Sequence, residues 1–259
     1  MNARTILAAR HLPVLAGFAA SNVLLAFDFD GTLAPIARTP EAARMRPATR
    51  RRLARVAVSY PCVVISGRPL EDLTRLLRGV PVWHVVGDHG FESAATNTPS
   101  AHVRGWVDQL RERLPGHPGL VIEQKKNSVT LHYRQVRDKP RVRAAIAEAV
   151  RDLVNARAIG GAEAVNLLPY DGPNKGIALQ QARRAFACDT AIYIGDDDTD
   201  EDAFGSAGPD RLLSIRVGMK NPSAARYRLR TQRQVDALLT VLIDLRAPAQ
   251  PSRAAPAPR

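Results

Sequence analysis

Cysteine is scarce: the 259 residues contain two, Cys62 and Cys188. Both lie in or beside apolar stretches, so two buried free thiols are expected, as in a cytoplasmic chain. Long hydrophobic runs are absent as well. No segment approaches the roughly 20 apolar residues of a membrane-spanning helix. The moderately apolar stretch 5–20 is broken by Arg10, His11 and Pro13, which predicts an amphipathic first helix rather than a signal peptide. Aromatic residues make up 5% of the chain, too few to supply stacking platforms along its basic runs. Acids are outnumbered, 25 against 37 Lys and Arg, for a net charge of +12. The arginines are scattered, as in Arg50-Arg51-Arg52, Arg183-Arg184 and 226–233. They read as solvated helix faces whose field also attracts a phosphate, with no specific nucleic-acid partner. No internal repeat is present.

What the chain does have is a short apolar run, Leu24-Leu25-Ala26-Phe27, entering Asp28-Phe29-Asp30-Gly31-Thr32. The run predicts a fully buried central strand of a parallel sheet. Two carboxylates at its end need a partner, because an unpaired desolvated charge is costly. A divalent cation beyond the strand end would supply one, and open α/β sheets bind ligands at that edge. One carboxylate would then attack while the other handles protons.

The pattern repeats. A helix starting at Pro47 leads to a strand, Cys62–Ile65, that ends in Ser66-Gly67-Arg68-Pro69, where a hydroxyl and backbone N–H groups can hold a phosphate oxygen. A strand over 82–86 closes with Gly87-Asp88-His89-Gly90. Strands ending in polar glycine-containing loops and joined by helices predict a doubly wound, Rossmann-like α/β core. After Ser93 the rhythm becomes α-β-β-α-β-β, with helices over 103–114 and 142–154 and a turn at Gly160-Gly161, which predicts an inserted smaller α/β module. The expected division is a core of 1–92 and 171–246, an insert of 93–170 and a disordered tail of 247–259. The core resumes at Asn174-Lys175-Gly176, where Lys175 is either a solvated surface lysine or a cation aimed into the strand-end cleft. A strand over 191–194 then runs into Gly195-Asp196-Asp197-Asp198-Thr199-Asp200-Glu201-Asp202. Six acids in seven residues repel unless a cation compensates, which predicts a metal site. A capping box at Thr231–Gln234 is expected to open a final helix.

The segments around Asp28-Phe29-Asp30-Gly31-Thr32, Ser66, Lys175 and Gly195-Asp196-Asp197 resemble the four motifs of the haloacid dehalogenase-like phosphatases. Within that superfamily the chain resembles the trehalose-6-phosphate phosphatase family. The residues carrying this are Ser66-Gly67-Arg68, Gly87-Asp88-His89-Gly90, Lys125 with Ser128-Val129 and His132-Tyr133-Arg134, Asn174-Lys175-Gly176, and the acidic run through Phe204. It departs at Asn166 and Leu168, where members usually carry an acidic and a basic residue. Asn166 can donate and accept hydrogen bonds but lacks the charge.

The resemblance implies a haloacid dehalogenase-like core with an α/β cap, and a phosphoric monoester hydrolase of trehalose biosynthesis. Asp28 would be the nucleophile and Asp30 the general acid and base. Ser66 and Lys175 would hold phosphoryl oxygens. Mg²⁺ would be bound by Asp28, Asp196 and the backbone carbonyl of Asp30, with Asp197 a further candidate ligand or, like Asp200, an orienting group. Arg68, His89, Lys125, His132, Arg134 and Asn166 would meet the phosphosugar. A cytoplasmic monomer is expected, with no membrane association. The alternatives are a phosphatase of another sugar phosphate, of the sucrose phosphate or glycosyl-glycerate phosphate type, and a non-enzymatic regulatory domain, which would be expected to lack one of the two acids.

Overall fold

In the computed structural model, which describes residues 4–92, 102–161 and 163–246, the chain forms two sheets. The large sheet is built from β1 (Arg4–Thr5), β2 (Val23–Phe27), β3 (Cys62–Ile65), β4 (His84–Val86), β9 (Thr190–Gly195), β10 (Leu212–Val217) and β11 (Tyr227–Leu229). The small sheet holds β5 (Val121–Gln124), β6 (Val129–His132), β7 (Ala156–Gly161) and β8 (Ala164–Pro169). The helices are α1 (Leu12–Ala20), α2 (Pro47–Ser59), α3 (Leu70–Leu76), α4 (His102–Arg113), α5 (Lys139–Val150), α6 (Lys175–Ala185), α7 (Glu201–Phe204) and α8 (Gln234–Arg246).

The large sheet has the order β1-β11-β10-β9-β2-β3-β4, and every pair in it is parallel. Strand β2 lies between β3 and β9 and is buried along its whole length. Alternate residues point to opposite faces. Leu25 and Phe27 join Cys62, Val64, Ile192 and Ile194 beneath α1, α2, α3 and α8. Leu24 and Ala26 join Val63, Tyr193, Leu179 and Phe204 under α6 and α7. Helices on both faces explain why β2 reads as an unbroken apolar run. The expected doubly wound core is therefore present, and its loops leave the carboxyl edge together.

The small sheet, order β5-β6-β8-β7, is antiparallel throughout. One face packs Val129, Leu131 and Leu167 against Trp106 and Leu110 of α4 and Val142 and Ile146 of α5. The intervening residues, Thr130, His132 and Asn166, face the carboxyl edge of the large sheet instead. This is the expected inserted cap.

Several local expectations change. Stretch 226–233 is not a solvated helix face. Tyr227–Leu229 is strand β11, with Arg228 buried and its guanidinium donating to Asn221 Oδ1. The final helix has no capping box of the expected form, because Gln234 Oε1 accepts from the backbone N–H of Arg230. Helix α5 starts three residues earlier than its apolar spacing suggests and ends at Val150. Asp138 caps it by accepting from Arg141 N, and Pro140 occupies its first turn. The first helix begins only at Leu12, after the short strand β1 and one 3₁₀ turn over Ala9–His11. Gly160-Gly161 is not the hairpin turn, since β7 runs through both. These glycines lie where the cap meets the acidic loop: a Cβ on Gly160 would fall 2.6 Å from Asp198 Oδ2. The start of the expected insert, 93–101, and the tail 247–259 lie outside the described residues. Among the described residues, no helix is long and apolar enough to cross a membrane.

Candidate active site

Asp28 follows the last residue of β2, and its backbone N–H donates to Ile194 O, extending the ladder with β9 by one bond. Asp196 follows β9. The two carboxylates thus leave adjacent parallel strands at the same edge. Ligand oxygens of Asp28, Asp196 and Asp200 all lie within 4.8 Å of one another. The approach depends on Gly31, whose φ is +81°, because a Cβ there would sit 2.0 Å from Asp196 Oδ2. Thr32 Oγ1 donates to Asp196 Oδ1 at 3.2 Å.

Lys175 is buried, which excludes the solvated-lysine alternative. Asn174 caps α6 by accepting from Ile177 N, so Lys175 opens the helix and turns inward. Its Nζ donates to Asp28 Oδ1 at 2.8 Å and to Asp200 Oδ1 at 2.6 Å. Burial alone would lower its pKa, but the carboxylates of Asp200 and Asp28 override that and hold it above the usual lysine range. One cation among three close carboxylates leaves a deficit. Burial pushes Asp28 up to about 8, against the pull of Lys175. Burial and the neighbouring Asp28 raise Asp196 well above the ordinary carboxylate range.

The acidic loop is less starved of cations than its sequence suggests. Asp198 pairs with Lys220 at 2.6 Å, Glu201 with Arg216, Asp202 with Arg157 of the cap at 2.5 Å, and Asp200 with Lys175. Arg216, fully buried on β10, also donates to the carbonyls of Asp196 (2.6 Å) and Asp197 (3.3 Å), which pins the loop from behind. Among the described residues, Asp196 and Asp197 alone of the six acids have no cationic side chain in salt-bridge contact. Asp200 accepts four hydrogen bonds, from Lys175, Tyr193 Oη, and the N–H groups of Asp196 and Asp197. That uses the four acceptor positions of a carboxylate, so Asp200 orients the site rather than offering a free oxygen. Asp28 and Asp196, hard oxygen donors with raised pKa values, fit a divalent cation. The side chain of Asp197 instead accepts from the N–H of Asp200 to cap the Asp198–Asp200 turn. Burial, then Asp200, raises its pKa to about 6.

Asp30 stands outside the trio. Arg68 Nε and Nη2 grip its two oxygens at 2.6 and 2.8 Å, and Nη2 also donates to Pro40 O. Ser66, buried at the end of β3, accepts weakly from Arg68 N at 3.4 Å. His89 is buried with φ +58°, and neither ring nitrogen has a hydrogen-bond partner. Burial, reinforced by Lys125 and Lys175, keeps its pKa well below the usual histidine value. From the cap, Lys125 Nζ donates to Gly67 O at 2.8 Å, and Arg134 donates to Ala37 O and pairs with Glu163 at 3.3 Å. His132 Nε2 meets Glu123 Oε2 at 2.7 Å, and Asn166 Oδ1 accepts from Thr130 Oγ1 at 3.0 Å. Two further bonds join cap to core: Asp88 accepts from Asn127 N at 2.9 Å and from Ser128 Oγ.

A cavity of about 480 Å³ lies between the sheets, and every candidate residue singled out from the sequence except the fully buried Asp200 lines it. So do Glu123, Thr130, Glu163 and the segment Ile36–Glu41, none of which the sequence reading selected. Glu123 carried a signal there: on a cap strand whose Ile122 packs inward, its neighbour must point to the other face. The lower wall of the cavity presents paired carboxylates, a hydroxyl and a lysine. The upper wall presents hydrogen-bonding side chains, among them Glu123, Lys125, Thr130, His132, Arg134 and Asn166. The arrangement suits nucleophilic attack on a phosphoester whose polar leaving group is held by the cap.

The trehalose-phosphatase family profile matches residues 26–233. Trehalose-phosphate phosphatase of Mycobacterium tuberculosis (strain ATCC 25618 / H37Rv) is 35% identical over 210 residues, 74% of this chain and 53% of that protein. The chain thus spans about half the length of the curated relatives it matches. Among solved structures, the C-terminal domain of C. albicans trehalose-6-phosphate phosphatase superimposes with a TM-score of 0.80 at 23% identity, covering 94% of this chain and 99% of that one. A phosphatase of the haloalkanoate superfamily from Bacteroides thetaiotaomicron does so with a TM-score of 0.61 at 16% identity, covering 87% and 96%. At these identities both likenesses speak to the fold.

Proposed function

The chain belongs to the trehalose-phosphatase family, and from that premise we propose that it hydrolyses trehalose 6-phosphate to trehalose and inorganic phosphate, with Mg²⁺ at the Asp28–Asp196 pair. The observation that carries this is the meeting of those two carboxylates and Lys175 beneath a cap that presents polar groups. Mg²⁺, when bound, offsets repulsion between Asp28 and the incoming phosphate. An Asp28 oxygen attacks phosphorus as the bond to the sugar oxygen breaks, forming an aspartyl-phosphate. Asp30 gives that leaving oxygen a proton. It then takes one from a water, whose oxygen attacks phosphorus and frees Asp28. Ser66 and Lys175 hold the transferring oxygens, where charge is spread in a loose transition state. Glu123 and Asn166 supply acceptors for sugar hydroxyls, and Lys125, His132 and Arg134 supply donors. His89, with two unpartnered ring nitrogens, gains most from a new hydroxyl neighbour. The reading implies a cytoplasmic enzyme of trehalose biosynthesis, in keeping with two free, buried thiols.

Asn166, tied to Thr130, favours one second reading, a related disaccharide or glycosyl phosphate. Phosphate release over a panel of trehalose 6-phosphate, sucrose phosphate, glucosyl-glycerate phosphate and glucose 6-phosphate separates the two. The expected result is a kcat/KM for trehalose 6-phosphate at least about tenfold above the rest. A higher value for another member would transfer the assignment to it.

The metal assignment has a thermodynamic signature. In protein stripped with EDTA, native Asp28 keeps a proton up to about pH 8, whereas unfolded Asp28 loses it near 3.8. Across that window the native state binds more protons, so stability falls as pH rises. A cation that replaces the proton restores more where more was lost. Calorimetry is expected to show a larger Mg²⁺-induced rise in Tm at pH 8 than at pH 5. The chelated protein should release no phosphate until Mg²⁺ returns. A rise that is equal at both pH values, or full turnover after chelation, contradicts the site.

A further inference from the structure

We infer that Arg68 is the positioning residue of the proton donor Asp30. The inference rests on the reading of Asp30 given above. Three of the five guanidinium N–H donors, the one on Nε and the two on Nη2, are spent on the protein. Nε and one Nη2 bond take both carboxylate oxygens of Asp30 at 2.6 and 2.8 Å, and Nη2 also meets Pro40 O at 2.8 Å. Its charged carbon lies over the Phe29 ring, 5.6 Å from the centroid. The Arg68 side chain is 9% exposed against 32% for Asp30. The arginine is thus the fixed member, and the carboxylate is the one that opens on the cavity.

A planar fork gripping a planar carboxylate fixes its orientation as well as its place. Without that grip, a carboxylate on a two-bond side chain at a strand end has other rotamers, and proton transfer needs hydrogen-bond reach. In the donor form one oxygen carries the proton while the other still accepts from Arg68. The proton passes to the leaving oxygen as the phosphorus–oxygen bond to the leaving group breaks and the bond to Asp28 forms. Attacking water returns a proton to the same carboxylate.

The same arginine ties the segment Ile36–Glu41 to the core through Pro40, and Arg134 ties that segment to the cap through Ala37. Arg68 is therefore held in register with the cap and is not free to follow a substrate.

A positioning role predicts sensitivity to the leaving group. 4-Nitrophenolate departs without protonation; phenolate needs it more. Both rings lack sugar hydroxyls, so sugar contacts play no part. Wild type, Asp30→Asn, Arg68→Ala and Arg68→Lys are compared on phenyl phosphate and 4-nitrophenyl phosphate with Mg²⁺, in initial-rate assays. Asp30→Asn is expected to lose at least about tenfold more kcat/KM on phenyl phosphate than on 4-nitrophenyl phosphate. Arg68→Ala should show the same skew. Arg68→Lys, which keeps the charge but not the fork, should fall between and serves if the alanine variant does not fold. If Asp30→Asn is skewed and both Arg68 variants lose equally on the two esters, Arg68 does not position the donor. A raised KM for trehalose 6-phosphate with no skew makes it a substrate contact instead. If Asp30→Asn itself is not skewed, the reading of Asp30 fails, and this inference with it.

Discussion

Asp28→Asn is expected to lower phosphate release by on the order of 10⁴-fold or more while the protein stays folded. The size follows from what the amide lacks. Its oxygen can still accept from Lys175 Nζ, now 2.8 Å away, so the buried lysine keeps a partner and the packing around β2 is undisturbed. The amide cannot displace an alkoxide from phosphorus, and nothing nearby substitutes. Asp200 has its oxygens filled by four donors, and Asp196 is held by Thr32. Rapid quench of wild type should trap an acid-stable count of protein-bound phosphate that the variant lacks. Removing a carboxyl group whose ionisation burial opposes should also flatten the fall in stability between pH 4 and 8 in the EDTA-treated protein. Turnover within tenfold of wild type in a folded variant would remove Asp28 as nucleophile and leave the raised pKa as a by-product of burial.

The parts of this molecule that a one-dimensional reading finds are those whose physics is local. A short apolar run ending in polar residues is a buried strand opening on an edge, and β2, β3 and β9 follow that rule. Parallel strands then force Asp28 and Asp196 together, since β2 and β9 are register neighbours from Val23 and Thr190 up to Phe27 and Ile194. What escaped depends on partners distant in sequence. Strands of two and three residues, β1 and β11, have no periodicity to detect and exist because each completes its neighbour's edge. Arg216 and Arg228 look like solvent charge until the acidic loop and Asn221 arrive to take their donors. The acidic run suggested a bare metal cage. Four of its six charges are in fact answered by Lys175, Arg216, Lys220 and Arg157, residues that lie before and after it along the chain. The Gly160-Gly161 pair has turn chemistry, but what demands small residues there is the approach of the cap strand to Asp198.

Lys175→Met separates two jobs that the lysine performs at once. The first is structural. With the cation gone, Asp28 and Asp200 face each other buried, and breaking such a pair costs about 3–5 kcal/mol. The deficit is pH-dependent. Loss of Lys175 removes the pull that opposes burial at Asp28, so its pKa climbs further and the native state holds its proton longer. Stability of the variant relative to wild type should therefore drop further between pH 8 and about pH 9.5 than between pH 5 and pH 8, measured by urea unfolding in EDTA. Saturating Mg²⁺ puts positive charge back beside Asp28 and should recover part of that loss. The second job is chemical: holding charge on the transferring phosphoryl oxygens. A cation elsewhere in the site does not replace a donor aimed at those oxygens. Turnover of the Mg²⁺-loaded, folded variant should stay down by about 10²–10³-fold. Recovery of both stability and turnover by Mg²⁺ would make Lys175 a counter-ion alone. Recovery of stability without turnover assigns it to the transition state as well, which is why a helix places a lysine at its own N-terminus, where the dipole disfavours it.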